Sequence, residues 1–164
     1  MEHQIPESAK RRVRNIMTTD VISVSPGTAV SEIAKLIAEK GITGVPVINE
    51  QEEVLGVVTE LDMIVRNTHF KMPNFVMILD IVIHLESKRD YEERLRNVLG
   101  TRAEQIMSKP AVTIAPSASI EDLANIMVDK RMNPVPVVEN GKLVGVVSRR
   151  DVIRLMAEES EQTE

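Results

Sequence analysis

The sequence has no cysteine and no tryptophan, and among its 164 residues there are only one tyrosine and two phenylalanines. The absence of cysteine excludes disulfides, thiol catalysis and thiolate metal sites. The shortage of aromatic rings leaves few side chains on which the bases of single-stranded nucleic acid could stack. A formal net charge of −5 repels a phosphate backbone over most of the surface. These features disfavour nucleic acid as a partner.

Long hydrophobic runs and patterns typical of catalysis are also missing. The most apolar stretch, residues 75–85, contains Asp80 and His84 and is shorter than the ~20 residues that span a bilayer. Residues 1–14 lack the apolar core of a signal peptide, so we expect a cytoplasmic protein without a membrane partner. No nucleophile-and-base pair or phosphate-binding glycine loop is visible, so we expect no enzyme and no required cofactor. Three scattered histidines lack metal-ligand spacing, so we expect no metal: His3, His69 and His84.

An internal repeat is the main feature that the sequence does contain. The two copies match at an offset of 90 residues, which becomes 89 for Gly56 with Gly145 and for Asp62 with Asp151. One residue is therefore missing from the second copy between the matched blocks. The pairs at offset 90 include Met17 with Met107, Pro26 with Pro116, Lys40 with Lys130, and Val45-Pro46-Val47 with Val135-Pro136-Val137.

Each copy contains a hairpin followed by a helix. In the second copy, two β-branched runs flank Asn140 and Gly141, a dipeptide that favours a two-residue hairpin turn. The first copy has similar runs around residues 49–53, and the missing residue falls in this turn. The change of pattern after each hairpin predicts helices that begin at about Glu60 and Arg149.

A strand and a helix precede each hairpin. Residues 21–24 and 111–114 are rich in β-formers and lead to prolines, so they predict short strands. Thr28 and Ser119 are the predicted N-caps of the helices, the latter with Asp122 as its capping-box partner. Each copy is thus a βαββα unit, and the fold class is α+β. Spacing i, i+3, i+4, i+7 predicts the buried helix faces: Val30, Ile33, Ala34 and Ile37, and Ile120, Leu123, Ala124 and Met127.

A hydroxyl residue and an aspartate recur where each second helix begins, as Thr59 with Asp62 and as Ser148 with Asp151. At such a position the hydroxyl and the free backbone N–H groups that follow can bind an anion. A carboxylate can accept hydrogen bonds from two adjacent hydroxyls, such as those of a ribose. The same spacing is typical of an ordinary capping box, so both interpretations stay open.

These blocks resemble a known family. An apolar-Pro-Val block, a hairpin and Gly-Val-Val-[Thr/Ser]-x-x-Asp, present twice, are similar to a tandem pair of CBS (cystathionine β-synthase type) domains, also called a Bateman module. The resemblance predicts one repeat at residues 15–66, a partly helical insertion at 67–103 and a second repeat at 104–157. It implies two repeats packed about a pseudo-twofold axis, with a cleft for adenosine-containing ligands on either side.

In this family each cleft combines residues of both repeats. The resemblance implies that Thr59 and Asp62 face Ala111, Val112, Asn133, Pro134 and Pro136. It implies likewise that Ser148 and Asp151 face Val21, Ile22, Thr43, Gly44 and Pro46. Thr43 and Asn133 stand where the strongest nucleotide binders often carry a basic or histidine side chain. Among AMP, ADP, ATP and S-adenosylmethionine, this departure disfavours the polyphosphates and leaves AMP, S-adenosylmethionine or an empty site open.

Two adjacent arginines follow Ser148, whereas the first copy has Glu60 and Leu61 at the matching positions. A guanidinium can bind phosphate through two parallel hydrogen bonds. We therefore expect Arg149 and Arg150 to discriminate phosphorylated from unphosphorylated ligands, without assigning them to one cleft. Their alternative role is that of solvated surface residues.

These features predict a regulatory ligand-sensing module. Binding of an adenosine-type ligand would change the packing of the repeats, and an unknown effector protein would respond. The alternative is a module that binds no small molecule and instead dimerises or docks on an enzyme, transporter or transcription regulator. The apolar residues 75–85 need cover, and the family habitually pairs, so we expect a homodimer. Residues 91–99 of the insertion are predicted to be helical.

Overall fold

The computed structural model describes residues 11–68, 75–78, 81–84 and 101–161, and it shows two α+β repeats. Each repeat has a helix, an antiparallel two-stranded hairpin and a second helix, and a one-turn helix precedes each repeat. In chain order the helices are α1 (Val13–Ile16), α2 (Val30–Lys40), α3 (Glu60–Thr68), α4 (Ala103–Ile106), α5 (Ile120–Asp129) and α6 (Arg149–Glu161). The strands are β1 (Gly44–Ile48), β2 (Val54–Thr59), β3 (Phe75–Ile78), β4 (Ile81–His84), β5 (Val135–Glu139) and β6 (Lys142–Val147).

The predicted hairpin of the second repeat is confirmed. Glu139 pairs with Lys142, and the two turn residues between them, Asn140 and Gly141, have φ angles of 52° and 80°. A type I′ turn requires this left-handed conformation at both central positions, which asparagine and glycine adopt at low cost. The predicted helix starts at Glu60 and Arg149 are also confirmed.

The strands predicted at residues 21–24 and 111–114 are wrong as strands, because each is reduced to a single parallel bridge. Val24 bridges Val47, and Ile114 bridges Val137. Val24 N donates to the carbonyl of Pro46, and Ile48 N donates to the carbonyl of Val24. The next ladder bond toward the N-terminus would need an N–H from the proline of the apolar-Pro-Val block. Proline has none, so the pairing stops after one residue.

The two predicted N-caps have different outcomes. Ser119 caps α5: its Oγ accepts from Asp122 N at 3.0 Å, and the Asp122 carboxylate accepts from Ser119 N at 3.3 Å. The Ser119 hydroxyl also donates to the Asp122 carboxylate at 2.7 Å. The bonds that this carboxylate accepts from the Ser119 hydroxyl and backbone N–H hold the pKa of Asp122 below its usual value, with a further contribution from nearby Arg12. Thr28 is not a cap, because α2 begins one residue later, after Ala29. The Thr28 hydroxyl instead accepts from Ser25 N within the preceding turn.

The predicted apolar helix faces are largely confirmed. Ile33 of α2 and Leu123 of α5 are fully buried, one in the core of each repeat. Ala34 is exposed, contrary to the prediction, and Leu36 packs against the core of the first repeat. The buried face of α2 is therefore rotated away from Ala34.

Each one-turn helix packs against the other repeat and not against the repeat that follows it in the chain. Val13 N donates to Ala118 O at 3.0 Å, and Ala103 N donates to Thr28 O at 2.9 Å. Val13 of α1 is fully buried in the core of the second repeat, and Ala103 of α4 is fully buried in that of the first. We call residues 11–18 and 101–108 the leading segments. Because they cross over, the two repeats form one folded unit.

Paired methionines and glycines hold the leading segments against the opposite hairpins. A Cβ on Gly145 would lie 2.8 Å from Sδ of Met17, and a Cβ on Gly56 would lie 2.8 Å from Sδ of Met107. Real Cβ contacts are longer, so glycine leaves the space that each thioether fills. The repeated glycine of the Gly-Val-Val block is thus required by packing.

The repeats meet through equivalent residues. Asn133 Nδ2 donates to Thr43 Oγ1 at 3.1 Å, and these two residues match each other at the repeat offset of 90. The next matched pair, Gly44 and Pro134, is also in close approach: a Cβ on Gly44 would lie 2.9 Å from Cδ of Pro134. Equivalent residues touch each other only at a twofold axis, so this contact marks the pseudo-twofold axis of the pair.

The described part of the insertion is an antiparallel hairpin in which Phe75 pairs with His84. It falls within the apolar stretch for which no strand was predicted. The helix predicted at residues 91–99 lies outside the described residues, as do His3 and His69. No helix in the described ranges is long and apolar enough to cross a membrane.

Candidate functional site

The hydroxyl and aspartate of each repeat form a closed cap where a strand passes into a helix. At the β2–α3 junction, Asp62 Oδ2 accepts from Thr59 N at 2.7 Å and from Thr59 Oγ1 at 2.8 Å. At the β6–α6 junction, Asp151 Oδ2 accepts from Ser148 N at 2.8 Å and from Ser148 Oγ at 2.7 Å. The structural role that the sequence left open is therefore present at both places. In each carboxylate it uses one oxygen and leaves Oδ1 for another partner.

The next backbone N–H of each helix also has a partner. Glu60 N donates to the carbonyl of Thr43 at 3.0 Å, and Arg149 N donates to Oδ1 of Asn133 at 2.9 Å. The expectation that the N–H groups directly following Thr59 and Ser148 are free for an anion is wrong. The residues at the pseudo-twofold axis occupy them. An anion in this region must be held mainly by side chains.

The second carboxylate oxygen has a different partner in each repeat. Asp62 Oδ1 accepts from Ser108 Oγ at 3.0 Å, across the boundary between the repeats. Asp151 Oδ1 accepts from Arg154 Nη2 at 2.9 Å, one turn along the same helix. Ser108 and Thr18 match at the repeat offset, and each follows an Ile-Met pair. That repeated hydroxyl is a signal in the sequence that the prediction of the site did not include.

A cleft of about 390 Å³ lies beside Ser148 and Asp151 and has walls from both repeats. Its size falls in the range of about 300–1,000 Å³ that is usual for small-molecule sites. The predicted residues that it brings together from the first repeat are Ile22, Thr43, Gly44 and Pro46. Those from the second repeat are Asn133, Pro134, Ser148, Arg149, Arg150 and Asp151.

Some predicted residues are placed differently. Asn133 and Pro134 were expected to face Thr59 and Asp62, yet they line the cleft of Ser148, because they lie at the axis. Val21 was expected beside Ser148 and Asp151 but does not line this cleft. Ala111, Val112 and Pro136 were expected beside Thr59 and Asp62, and they do not line it either. Six lining residues were not predicted from the sequence, and they are Thr18, Asp20, Lys40, Gly41, Ile42 and Val146.

The cleft is predominantly cationic. Lys40, Arg149 and Arg150 line it together with Asp20 and Asp151, and Asp151 is itself paired with Arg154. Within the described part of the chain, the guanidinium groups of Arg149 and Arg150 have no ion-pair partner, and both residues are exposed. These two cations can therefore turn toward an anion without first breaking an ion pair.

Comparison with known proteins identifies the family. A model described as the CBS domain matches the chain twice, at residues 13–66 and 103–158. The chain belongs to the CBS domain family. The two matches in one chain make it a tandem CBS pair, in agreement with the repeat and the pseudo-twofold axis.

Two curated relatives match this chain over most of its length. An uncharacterized protein of Methanopyrus kandleri is 29% identical over 145 residues, which are 87% of this chain and 61% of that protein. This chain thus spans less than two thirds of that relative. The CBS domain-containing protein YhcV of Bacillus subtilis is 28% identical over 149 residues, covering 90% of this chain and 88% of YhcV.

Solved CBS pairs confirm the α+β fold. The structure of CBSX2 in complex with AMP has a TM-score of 0.68 at 23% identity and covers 92% of this chain and 98% of CBSX2. The CBS pair of protein MJ0100, solved with 5′-methylthioadenosine and S-adenosyl-L-methionine, has a TM-score of 0.66 at 20% identity. It covers 90% of this chain and 97% of that chain.

Proposed function

We propose that this CBS pair is a regulatory module that senses an adenosine-containing ligand in the clefts between its repeats. The observation that carries the proposal is the cleft itself. It joins the carboxylate and hydroxyl of the second repeat to apolar residues of the first, Ile22 and Pro46. A ligand with a polar ribose and a flat apolar base fits this division. CBSX2 was solved with AMP, and the MJ0100 pair with two adenosine compounds, which supports this ligand class.

The charge of the cleft favours a phosphorylated ligand. Lys40, Arg149 and Arg150 outnumber the two carboxylates, one of which is already neutralised by Arg154. The backbone N–H groups nearby are largely occupied, so phosphate recognition falls to these side chains. AMP is the favoured ligand, because these few cations suffice for a single phosphate. A polyphosphate would need more positive charge, and Thr43 and Asn133 supply none.

Regulation follows from the shared walls of the cleft. A ligand that contacts both repeats changes their relative packing only if it binds the two arrangements with different affinity. Asn133 bonds Thr43 of the other repeat and the first helical N–H of α6. A ligand in the cleft therefore touches the contact that joins the repeats. An effector protein would respond to that change, and no catalytic step is proposed.

A panel of adenosine compounds tests the ligand class. AMP, ADP, ATP, adenosine and S-adenosylmethionine should be titrated by calorimetry and by thermal shift, with GMP as a base control. We expect AMP to raise the Tm, since a ligand at 100 times its Kd adds about 2.7 kcal/mol of stability. The double variant Asp62→Ala/Asp151→Ala should lose at least tenfold in affinity. Unchanged affinity in that variant would show that the two carboxylates do not contact the ligand.

Phosphate recognition has its own test. Replacing both Arg149 and Arg150 with alanine should weaken AMP binding in a salt-dependent way and leave adenosine affinity nearly unchanged. Lys35→Ala is the matched control, because it removes an exposed cation that does not line the cleft. Equal losses for AMP and adenosine would show that the arginines act on folding instead.

A second candidate function is docking without a small molecule. The second helices of the two repeats expose apolar side chains at matching positions, with Ile64 of α3 57% exposed and Ile153 of α6 63% exposed. Leu61 and Met156 extend these exposed faces. Failure of every adenosine compound to bind would favour this function over the first.

A further inference from the structure

Arg154 occupies the carboxylate that the proposed ligand needs. Asp151 Oδ2 already accepts two hydrogen bonds from Ser148, and Oδ1 accepts one from Arg154 Nη2 at 2.9 Å. A carboxylate offers about four acceptor positions, two on each oxygen. One position therefore remains on Oδ1, whereas the two adjacent hydroxyls of a ribose need two.

We propose that Arg154 is a latch on the cleft beside Ser148 and Asp151, here called the second cleft, and that the ribose hydroxyls must displace it to bind Asp151 fully. This inference rests on the proposed function, since it assumes a ligand with a ribose. A guanidinium has only donors, so it cannot accept a hydrogen bond from a ligand hydroxyl while it occupies Oδ1. It competes directly with the hydroxyls of the ligand, which are donors at the same oxygen.

Among the described residues no guanidinium bonds Asp62, beside which the proposed function places the other cleft, here called the first cleft. Asp62 Oδ1 accepts from the hydroxyl of Ser108, and the position that matches Arg154 at the repeat offset is Val65. A hydroxyl can rotate its proton away and accept a hydrogen bond from a ligand, and a valine has no donor at all. The latch therefore makes the two clefts unequal toward the same ribose.

The position of Arg154 allows it to be released. Its side chain is 58% exposed, whereas that of Asp151 is 10% exposed. The exposed guanidinium can turn into solvent and be hydrated there, and a ligand hydroxyl then takes its position on Oδ1 of the buried Asp151, so the exchange costs little affinity. Arg154 does not line the cleft, so its removal takes away no ligand contact.

The experiment compares adenosine with 2′,3′-dideoxyadenosine in Asp62→Ala protein, where only the second cleft retains its aspartate. Arg154→Leu should raise the affinity for adenosine about threefold to fivefold, because the ligand no longer has to displace a guanidinium that solvent already screens in part. The affinity for 2′,3′-dideoxyadenosine should not change, because that compound has no hydroxyl to compete with Arg154. If Asp62→Ala does not fold, a two-site fit in the wild-type background makes the same comparison.

Arg11→Leu is the matched control. Arg11 forms another exposed ion pair with α6, to Glu159, and does not line the cleft. Its loss should leave adenosine affinity unchanged. Thermal unfolding of Arg154→Leu should give a wild-type Tm, which shows that the variant is folded.

The outcomes separate the latch from the function on which it rests. Adenosine binding that stays equal or weakens in Arg154→Leu would overturn the latch alone. An equal gain for 2′,3′-dideoxyadenosine would do the same, because the effect would not depend on the hydroxyls. Absence of binding by every adenosine compound, AMP included, would overturn the proposed function and the latch together, whereas binding of AMP without binding of adenosine would overturn the latch alone.

Discussion

Replacing Gly44 with alanine tests how tightly the repeats pack at the axis. A Cβ at this position would lie 2.8 Å from the carbonyl oxygen of Val58, 2.9 Å from Cδ of Pro134 and 3.1 Å from Cα of Thr59. Two of these atoms are backbone and the third belongs to a proline ring, so none can move as a flexible side chain can. The added methyl group must displace either the first hairpin or the opposite repeat.

The magnitude follows from two opposing effects. Over-packing of a well-packed interior costs about 1–3 kcal/mol. Alanine recovers about 0.4–1 kcal/mol, because it restricts the unfolded chain more than glycine does. The midpoints of these two ranges give a net loss in the free energy of unfolding of about 1.3 kcal/mol. For a chain of this length, 1 kcal/mol lowers the Tm by about 2–4 °C, so the Tm should fall by about 3–5 °C.

Thermal unfolding followed by circular dichroism measures this change, and Gly27→Ala is the control. A Cβ on Gly27 would meet only Nη1 of Arg102, at an ordinary contact distance of 3.7 Å. That variant should keep its Tm or gain a few degrees. A Gly44→Ala protein that melts at or above the Gly27→Ala protein would refute the packing argument.

The remaining predictions concern the leading segment, a cap and the assembly. Val13 is fully buried in the opposite repeat, so Val13→Ala should lower the free energy of unfolding by about 1.5–3 kcal/mol in a urea titration. Val128 is 74% exposed, so the control variant Val128→Ala should lower it by less than about 0.5 kcal/mol. Similar costs for both would contradict the crossing. The pKa of Asp122 is lower in the folded state than in the unfolded state. The ionised carboxylate therefore stabilises the fold above the ordinary pKa, and this stabilisation is lost as pH falls through the lowered pKa. The difference in urea midpoint between wild type and Asp122→Asn should therefore narrow below about pH 4, and a constant difference would refute this. Sedimentation at micromolar concentration should show a dimer that Ile64→Lys/Ile153→Lys converts to a monomer, and a monomeric wild type would contradict the expected pairing.

Local sequence patterns predicted much of the fold. The Asn140-Gly141 dipeptide predicts its hairpin because the turn needs two left-handed residues, and the structure has both. Leu123 recurs at helical spacing with its neighbours and is fully buried. The predictions of a strand at residues 21–24 and of an N-cap at Thr28 were wrong, and the causes lie in nearby residues. A missing proline N–H shortens the bridge, and a competing turn takes the Thr28 hydroxyl.

The candidate site was predicted in part. The repeated hydroxyl and aspartate are identified by their spacing, and the structure places Ser148 and Asp151 beside a cleft with Thr43 and Pro46. Their hydrogen-bond partners could not be predicted. Ser108 bonds a carboxylate 46 residues away, and Asn133 bonds a hydroxyl 90 residues away. No local periodicity encodes contacts over such separations.

The sequence by itself determined the repeat, the order of elements within it and the family, because each depends on short patterns that hydrophobicity, turns and caps impose on neighbouring residues. Only the tertiary structure decided that the leading segments cross between the repeats, since that choice depends on where the buried Val13 and Ala103 find complementary cores. It also decided which donors reach each carboxylate. Ser108 reaches Asp62 only because the repeats pack together, whereas Arg154 reaches Asp151 within one turn of the same helix.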